Sequence, residues 1–242
     1  DDGSISTFTT TDPGTGAQDF IYTGNGSDII AGGDGDDTIY ARVRTESTDD
    51  NTDNGRDIIL GDNGKAIFDT DGTLRNFTSI DYDHNTATDN STVFTDTIYS
   101  GDGNDVIIGG LETDTIHSEQ GDDVVLGDNG HATFNENGQL VDISTLSPTL
   151  GASDNIYTHQ GSDVALGGFG TDTIYTYDTD NPSPADETGS DKVVGDNGHV
   201  TFEDDGSIST FTTTDPGTGA QDFIYTGNGS DIIAGGDGDD TI

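Results

Sequence analysis

The sequence predicts an all-β protein, a solenoid of short strands joined by glycine turns, and three observations carry that expectation. Asp recurs every ninth residue in several blocks: Asp19, Asp28 and Asp37; Asp96, Asp105, Asp114 and Asp123; Asp154, Asp163 and Asp172. The residue two places after each is apolar, from Ile21 and Ile30 to Ile174. The tetrapeptide GDNG begins at Gly61, Gly127 and Gly195, 66 and 68 residues apart, and residues 1–39 return unchanged at 204–242, an offset of 203.

A nine-residue period with one apolar position per beat does not fit a helix face, and the β-branched residues at that position favour short strands. Glycine ahead of each Asp supplies the turn. Each unit is therefore strand, turn and strand, stacked so that a coil leans only on its neighbours. Repeats of this kind define the domain organisation. Residues 1–60 form a partial subunit of nonapeptide strands and an insertion loop, 61–126 and 127–194 are repeat subunits, and 195–242 starts the next, its 204–242 matching 1–39.

Composition limits what such a chain can do. Among 242 residues, 48 Asp and Glu stand against 6 Lys and Arg, a formal charge of -42. That surplus repels nucleic acid and anionic membranes and calls for cations among the carboxylates. Acidic, apolar-poor chains are often disordered, but 36 Gly at regular spacing with a steady supply of Ile, Val and Tyr argue for order. Without Cys there are neither disulfides nor thiolate zinc sites. No apolar run approaches the roughly 18 residues of a membrane span, and no basic, apolar leader opens the chain.

The elements follow in order. After each GDNG the beat breaks, and "IFDTDGTLRNF", "TFNENGQLVDI" and "TFEDDGSISTF" carry an Asp-Gly or Asn-Gly step between apolar flanks, the signature of a tight β-hairpin. Five nonapeptide strands and one returning hairpin strand would give each subunit three coils, an advance of about 14 Å at about 4.8 Å per strand. "RVRTESTDDNTDNG" and "YDTDNPSPADETG" read as solvated insertions.

The stretch "GGDGDDTIY" (32–40) resembles in full the GGxGxDxUx nonapeptide of RTX (repeats-in-toxin, hemolysin-type) calcium-binding proteins, and "TGNGSDIIA", "SGDGNDVII", "GGFGTDTIY" and "GGLETDTIH" are close variants. The resemblance implies a parallel β-roll with Ca2+ between turns eighteen residues apart, held by Asp carboxylates and turn carbonyls. The chemistry agrees, since calcium takes six to eight hard oxygen ligands and glycine lets carbonyls turn inward. Carried over, it assigns as ligands Asp19, Asp28, Asp37, Asp57, Asp105, Asp114, Asp123, Asp154, Asp163, Asp172, Asp191, Asp222, Asp231 and Asp240. Backbone carbonyls around Gly24, Gly26, Gly33, Gly35, Gly101, Gly103, Gly168 and Gly170 complete them. Facing turns are 14–19 with 32–37, 100–105 with 118–123, and 149–154 with 167–172. Turns 23–28 with 52–57, and 158–163 with 186–191, pair across insertions. Departures mark weaker positions. In "GDNGKA", "GDNGHA" and "GDNGHV" the Asp of the beat is Ala66, Ala132 or Val200, leaving Asp62, Asp128 and Asp196 as substitutes. Asp96 follows a turn without glycine.

In a β-roll alternate nonapeptides belong to opposite sheets. One set, with Thr38-Ile39-Tyr40 and Thr97-Ile98-Tyr99, turns Thr, Tyr and His outward, as a solvated face would. The other, with Ile58-Ile59-Leu60, Val106-Ile107-Ile108 and Val124-Val125-Leu126, is apolar on both sides and so is expected to be covered on both. Its cover is either the hairpins, with Phe68, Leu74, Phe134 and Leu140, or a neighbouring chain; the hairpins are the favoured choice.

Nothing points to catalysis. His131 and His199 share a position where the third subunit has Lys65, His84, His117 and His159 are scattered, and paired carboxylates such as Asp36-Asp37 belong to the repeat itself. No GxSxG, Walker or HExxH pattern is present. Asn25, Asn76, Asn90 and Asn228 open glycosylation sequons, which matter only in a glycosylating producer. The sequence therefore predicts a non-enzymatic, secreted, calcium-stabilised structural repeat, a filament or surface stalk, with calcium and copies of itself along or beside a fibre as partners and without nucleic-acid binding or membrane insertion. Competing readings are the RTX region of a secreted enzyme or toxin, the extender of an adhesin, and salt adaptation.

Overall fold

A computed structural model describes residues 5–11, 16–42, 44–45, 48–49, 53–80, 95–177 and 189–242. The expectations for Gly14, for residues 91–94, His84 and Asn90, and for most of the second insertion lie outside these residues. The described residues are strands, turns and bends without helix.

Two seven-stranded parallel sheets form the roll. The first stacks Phe20–Tyr22, Thr38–Tyr40, Thr97–Tyr99, Thr115–His117, Asn155–Tyr157, Thr173–Tyr175 and Phe223–Tyr225. The second stacks Ile29–Ala31, Ile58–Leu60, Val106–Gly110, Val124–Asp128, Val164–Leu166, Lys192–Val194 and Ile232–Ala234. Every pairing is in register at the apolar beat, for example Ile98 with Ile116 and Ile107 with Val125. Between the sheets Ile39, Ile98, Ile116, Ile156 and Ile174 meet Ile59, Ile107, Val125, Ala165 and Val193, all buried. A buried Ile contributes about 1.5–3 kcal/mol, so one such residue per strand sustains a narrow core.

The third sheet is antiparallel and lies against the outer face of the second. It runs Thr7–Thr9, Gly64–Phe68, Leu74–Ser79, Gly130–Phe134, Leu140–Thr145, Gly198–Phe202 and Ile208–Thr213. Phe77, Ala132, Phe134, Ile143 and Val200 from it pack on Leu60, Val106, Ile108, Val124 and Leu126. The two-sided apolar strands are therefore covered by the protein's own hairpins, as the favoured reading had it.

Three coils per subunit was wrong. Between the hairpins 64–79 and 130–145 each parallel sheet gains two strands, so the roll advances two coils, about 10 Å. Neither hairpin strand returns to the roll. Both are used to extend the third sheet, and two hairpin strands match two coils in height. GDNG is accordingly a corner between sheets and not a nonapeptide turn. Ala66, Ala132 and Val200, which stand where the beat would put Asp, point into the apolar layer. Its last glycine sits hard against that layer: a Cβ on Gly130 would lie 2.3 Å from Leu126 Cδ2 and would force that fully buried leucine to move. The first insertion also carries a two-stranded ribbon, Arg44–Thr45 with Thr48–Asp49.

The outward face of the first sheet is half-buried and less solvated than expected. Tyr22, Tyr40, Tyr99, His117, Tyr157, Tyr175 and Tyr225 stack in one column with ring centroids 4.6–5.4 Å apart. Arg42 covers Tyr99 at 4.7 Å and ion-pairs with Glu119 at 2.8 Å, two coils on.

Candidate metal centres

Each Asp of the nine-residue beat sits immediately before a strand, and parallel stacking brings these residues into two continuous ladders along the turns. The first runs Asp19, Asp37, Asp96, Asp114, Asp154, Asp172, Asp222 and Asp240. In each step the backbone N–H of one Asp donates to Oδ1 of the Asp in the next coil at 2.7–3.1 Å. The second ladder runs Asp28, Asp57, Asp105, Asp123, Asp163, Asp191 and Asp231 with the same bond at 2.8–3.1 Å. The described residues of the facing turns expected from sequence stand together, including those of the two pairs that bridge insertions. The pairs are not isolated, however: Asp37 meets Asp96 across 59 residues and Asp172 meets Asp222 across 50. Asp96, although no glycine precedes it at 91–95, is fully buried in the first ladder.

The second carboxylate oxygen is the notable one. Oδ2 of Asp37, Asp57, Asp96, Asp105, Asp114, Asp123, Asp154, Asp172 and Asp222 is buried without a hydrogen-bond partner. Leaving a polar atom of a buried group unsatisfied costs about 1–3 kcal/mol, and more for a charged one. Burial dominates the ionisation of these groups. It pushes the carboxyl of Asp37 up to about 6 and that of Asp105 to about 6, Asp222 to about 7, and Asp57 and Asp96 to about 8, against an opposing backbone hydrogen bond in each case. Asp114, Asp123, Asp154 and Asp172 are also raised well above the usual carboxylate range, by burial and then by neighbouring aspartates. Two unbroken rows of carboxylates cannot all be ionised in such surroundings without a counter-charge.

In the first ladder the gap at each Oδ2 is lined by a glycine. A Cβ on Gly127 would lie 2.2 Å from Asp154 Oδ2 and 2.4 Å from the Gly167 carbonyl oxygen. On Gly61 it would lie 2.1 Å from Asp96 Oδ2 and 2.5 Å from the Gly109 carbonyl oxygen, and Gly195 repeats the arrangement with Asp222 and Gly235. A carboxylate oxygen and a carbonyl oxygen thus converge on space that only glycine leaves open. Among the described residues no three Asp, Glu or His side chains gather closely enough to hold an ion by themselves, so carbonyls must supply part of any shell. That hard-oxygen donor set suits Ca2+. Sequence reasoning overlooked these glycines; the signal was a glycine three residues after the start of each second-sheet strand, at Gly32, Gly61, Gly109, Gly127, Gly167, Gly195 and Gly235. The glycines it did name, Gly24, Gly26, Gly33, Gly35, Gly101, Gly103, Gly168 and Gly170, all adopt positive φ, from 87° to 156°. There a side chain would be strained.

Asp62, Asp128 and Asp196 stand apart from both ladders. The Asp128 carboxylate is inserted between successive first-ladder turns, accepting from the N–H of Ala152 at 3.1 Å and from Phe169. Asp196 repeats this with Ala220 and Asp237, and Asp62 accepts from Leu111. Asp128 is pushed well above the carboxylate range by burial and by Asp154. The histidines are elsewhere: His131 and His199 lie on the hairpin sheet, His199 Nε2 2.6 Å from Asp142 Oδ2, while His117 and His159 belong to the ring column.

Comparison with known proteins agrees with this geometry. Searches of curated proteins and of solved structures returned no match. A family model described as "RTX calcium-binding nonapeptide repeat (4 copies)" matches residues 13–42, 92–125, 99–133, 150–180 and 216–242, more than half of the chain. Proteins carrying these repeats are typically secreted, and the repeats themselves bind calcium and are typically non-catalytic. With its in-phase nonapeptides wound into a parallel roll and its aspartates aligned along the turns, the chain belongs to the RTX calcium-binding nonapeptide repeat family.

Proposed function

We propose that the chain is a calcium-stabilised extracellular structural repeat, non-catalytic, forming part of a filament or long surface stalk whose subunits divide near Gly61, Gly127 and Gly195. The observation that carries this reading is the row of buried, unpartnered Oδ2 atoms beside glycine-lined carbonyls. Asp37, Asp96, Asp114, Asp154, Asp172 and Asp222 would hold ions in the first ladder, and Asp57, Asp105, Asp123, Asp163 and Asp191 in the second. Asp19, Asp28, Asp231 and Asp240 would do so at the end coils. The ion supplies the counter-charge that lets stacked carboxylates ionise together. Everything else is the chain's own work, since the turns present oxygens only once coils have stacked. Ion binding and folding are then one event. Extracellular calcium modules bind at about 10⁻⁴ to 10⁻³ M, so such a chain stays open inside a cell and closes outside it. The unchanged return of residues 1–39 at an offset of 203 favours a tandem structural array over the repeat region of a secreted enzyme or toxin. The test is circular dichroism at low salt with millimolar calcium and then excess EGTA. Loss of most β-structure on chelation is expected; full retention refutes calcium-built folding.

A further inference from the structure

The segments 1–39 and 204–242 are identical, yet they lie at opposite ends of the solenoid. Each end therefore exposes residues whose exact copies are covered at the other end, and the covering strands show what fits there. Ile39 is 0% exposed beneath the strand Thr97–Tyr99, whereas its copy Ile242 is 69% exposed. Conversely Phe20 and Tyr22 are 61% and 50% exposed, while their copies Phe223 and Tyr225 are half-buried against Thr173–Tyr175. Asp19 is exposed and Asp222 is completely buried.

The three sheets also keep step. From Phe20–Tyr22 to Phe223–Tyr225 the first sheet advances six strands, and from Ile29–Ala31 to Ile232–Ala234 the second advances six. From Thr7–Thr9 to Ile208–Thr213, its copy, the antiparallel third sheet advances six as well. A repeat whose layers advanced by different numbers of strands would shear apart after one period. This one returns every layer to its starting register together.

We propose that each end of the chain is a docking surface for a further copy of the same 203-residue repeat, and that successive copies form one unbroken three-sheet rod. It advances six coils, about 29 Å, per period at about 4.8 Å per strand. The surface made by Ile242, Ile232–Ala234 and Ile208–Thr213 takes copies of the Thr97–Tyr99, Ile58–Leu60 and Gly64–Phe68 strands, in that order. The surface made by Phe20–Tyr22, Ile29–Ala31 and Thr7–Thr9 takes copies of Thr173–Tyr175, Lys192–Val194 and Gly198–Phe202, in that order. Both aspartate ladders then cross the junction without a break. The inference rests on the structural-repeat reading above but not on the identity of the ion.

The experiment compares the 242-residue chain with one lengthened by a second copy of residues 40–242 after Ile242, in millimolar calcium and in EGTA, by cryo-electron microscopy and amide hydrogen exchange. The expected result is a straight rod longer by about 29 Å with unchanged cross-section, and exchange at Ile242 slowed to the rate at Ile39. Two folded bodies joined by a flexible junction, or an Ile242 that still exchanges fast, overturns the inference while leaving calcium-dependent folding intact. A rod of the expected length that ignores EGTA supports the inference and refutes the calcium reading. If the lengthened chain does not fold, the 242-residue chain still decides. Equal exchange at Phe20–Tyr22 and Phe223–Tyr225 means that the identical segments are not differently covered, and the inference falls.

Discussion

Replacing Asp105 by Asn should act in opposite directions with and without calcium. Asp105 is 1% exposed; its Oδ1 accepts the Asp57 N–H at 2.8 Å and its Oδ2 has no partner. Burial lifts its carboxyl from 3.8 to about 6, so ionising it inside the folded, calcium-free chain costs about 3 kcal/mol at about 1.4 kcal/mol per unit. Asn removes that cost and keeps the Oδ1 acceptor, but puts an amide N–H₂ in the gap at about 1–3 kcal/mol if unsatisfied. At pH 7.5 without calcium the variant should equal or exceed the parent by about 0–2 kcal/mol. With calcium it loses one anionic ligand, and the calcium midpoint should rise at least tenfold, in line with the dependence of affinity on ligand charge. Thermal melts after exhaustive removal of calcium, paired with a calcium titration followed by circular dichroism, measure both halves. Equal destabilisation in both states would show that Oδ2 is an ordinary buried polar atom and that the ladder is not an ion site.

Three further outcomes follow from the same geometry. Phe77→Ala empties a fully buried position between the hairpin sheet and the roll and should cost about 3–5 kcal/mol in denaturant melts at saturating calcium; no loss would make the hairpins mere decoration. Gly121→Ala would set a Cβ 1.4 Å from the Gly103 carbonyl oxygen at φ 148° and should prevent coil stacking. The control Gly72→Ala, at φ 89° with open space around it, should cost only about 1–2 kcal/mol. Finally, the calcium-free chain should be more stable at pH 5 than at pH 8. The folded carboxyls of Asp37, Asp57, Asp96 and Asp222 lie at about 6 to 8, above their unfolded value near 4, so the folded state holds the extra protons and stability drains away as pH rises from about 4 through 8. Saturating calcium should flatten that decline; an unchanged profile in both states refutes the counter-charge argument.

The roll was legible because its signals are local. Ile98 and Ile107 declare a nine-residue beat, and Val106 and Val124 declare a second buried face by being apolar where Tyr99 and His117 are not. What escaped was set by tertiary register. A hairpin motif does not state which sheet its strands will join, so counting one returning hairpin strand into the roll makes the coil number too high. Likewise no local pattern links Asp37 to Asp96, and only stacking of Ile39 on Ile98 reveals the pair. Asp128 reads in sequence as a substitute for the missing Asp of the beat, but its seat on the Ala152 and Phe169 amides depends on a neighbouring coil. The Tyr column was visible as outward residues, and its stacking follows only from a flat parallel sheet with one ring per strand.

The direction of the strands has a mechanical consequence. Every strand of the three sheets lies across the long axis, so the hydrogen bonds between coils run along it. A pull applied to the two ends of the solenoid loads those bonds one coil after another and not many at once in shear. The molecule should yield stepwise, each eighteen-residue coil such as Asp105 to Asp123 paying out about 60 Å of slack at about 3.4 Å per residue. Because a released coil can restack on the intact ladder beside it, the same geometry that sets the order of yielding also provides the template for recoil.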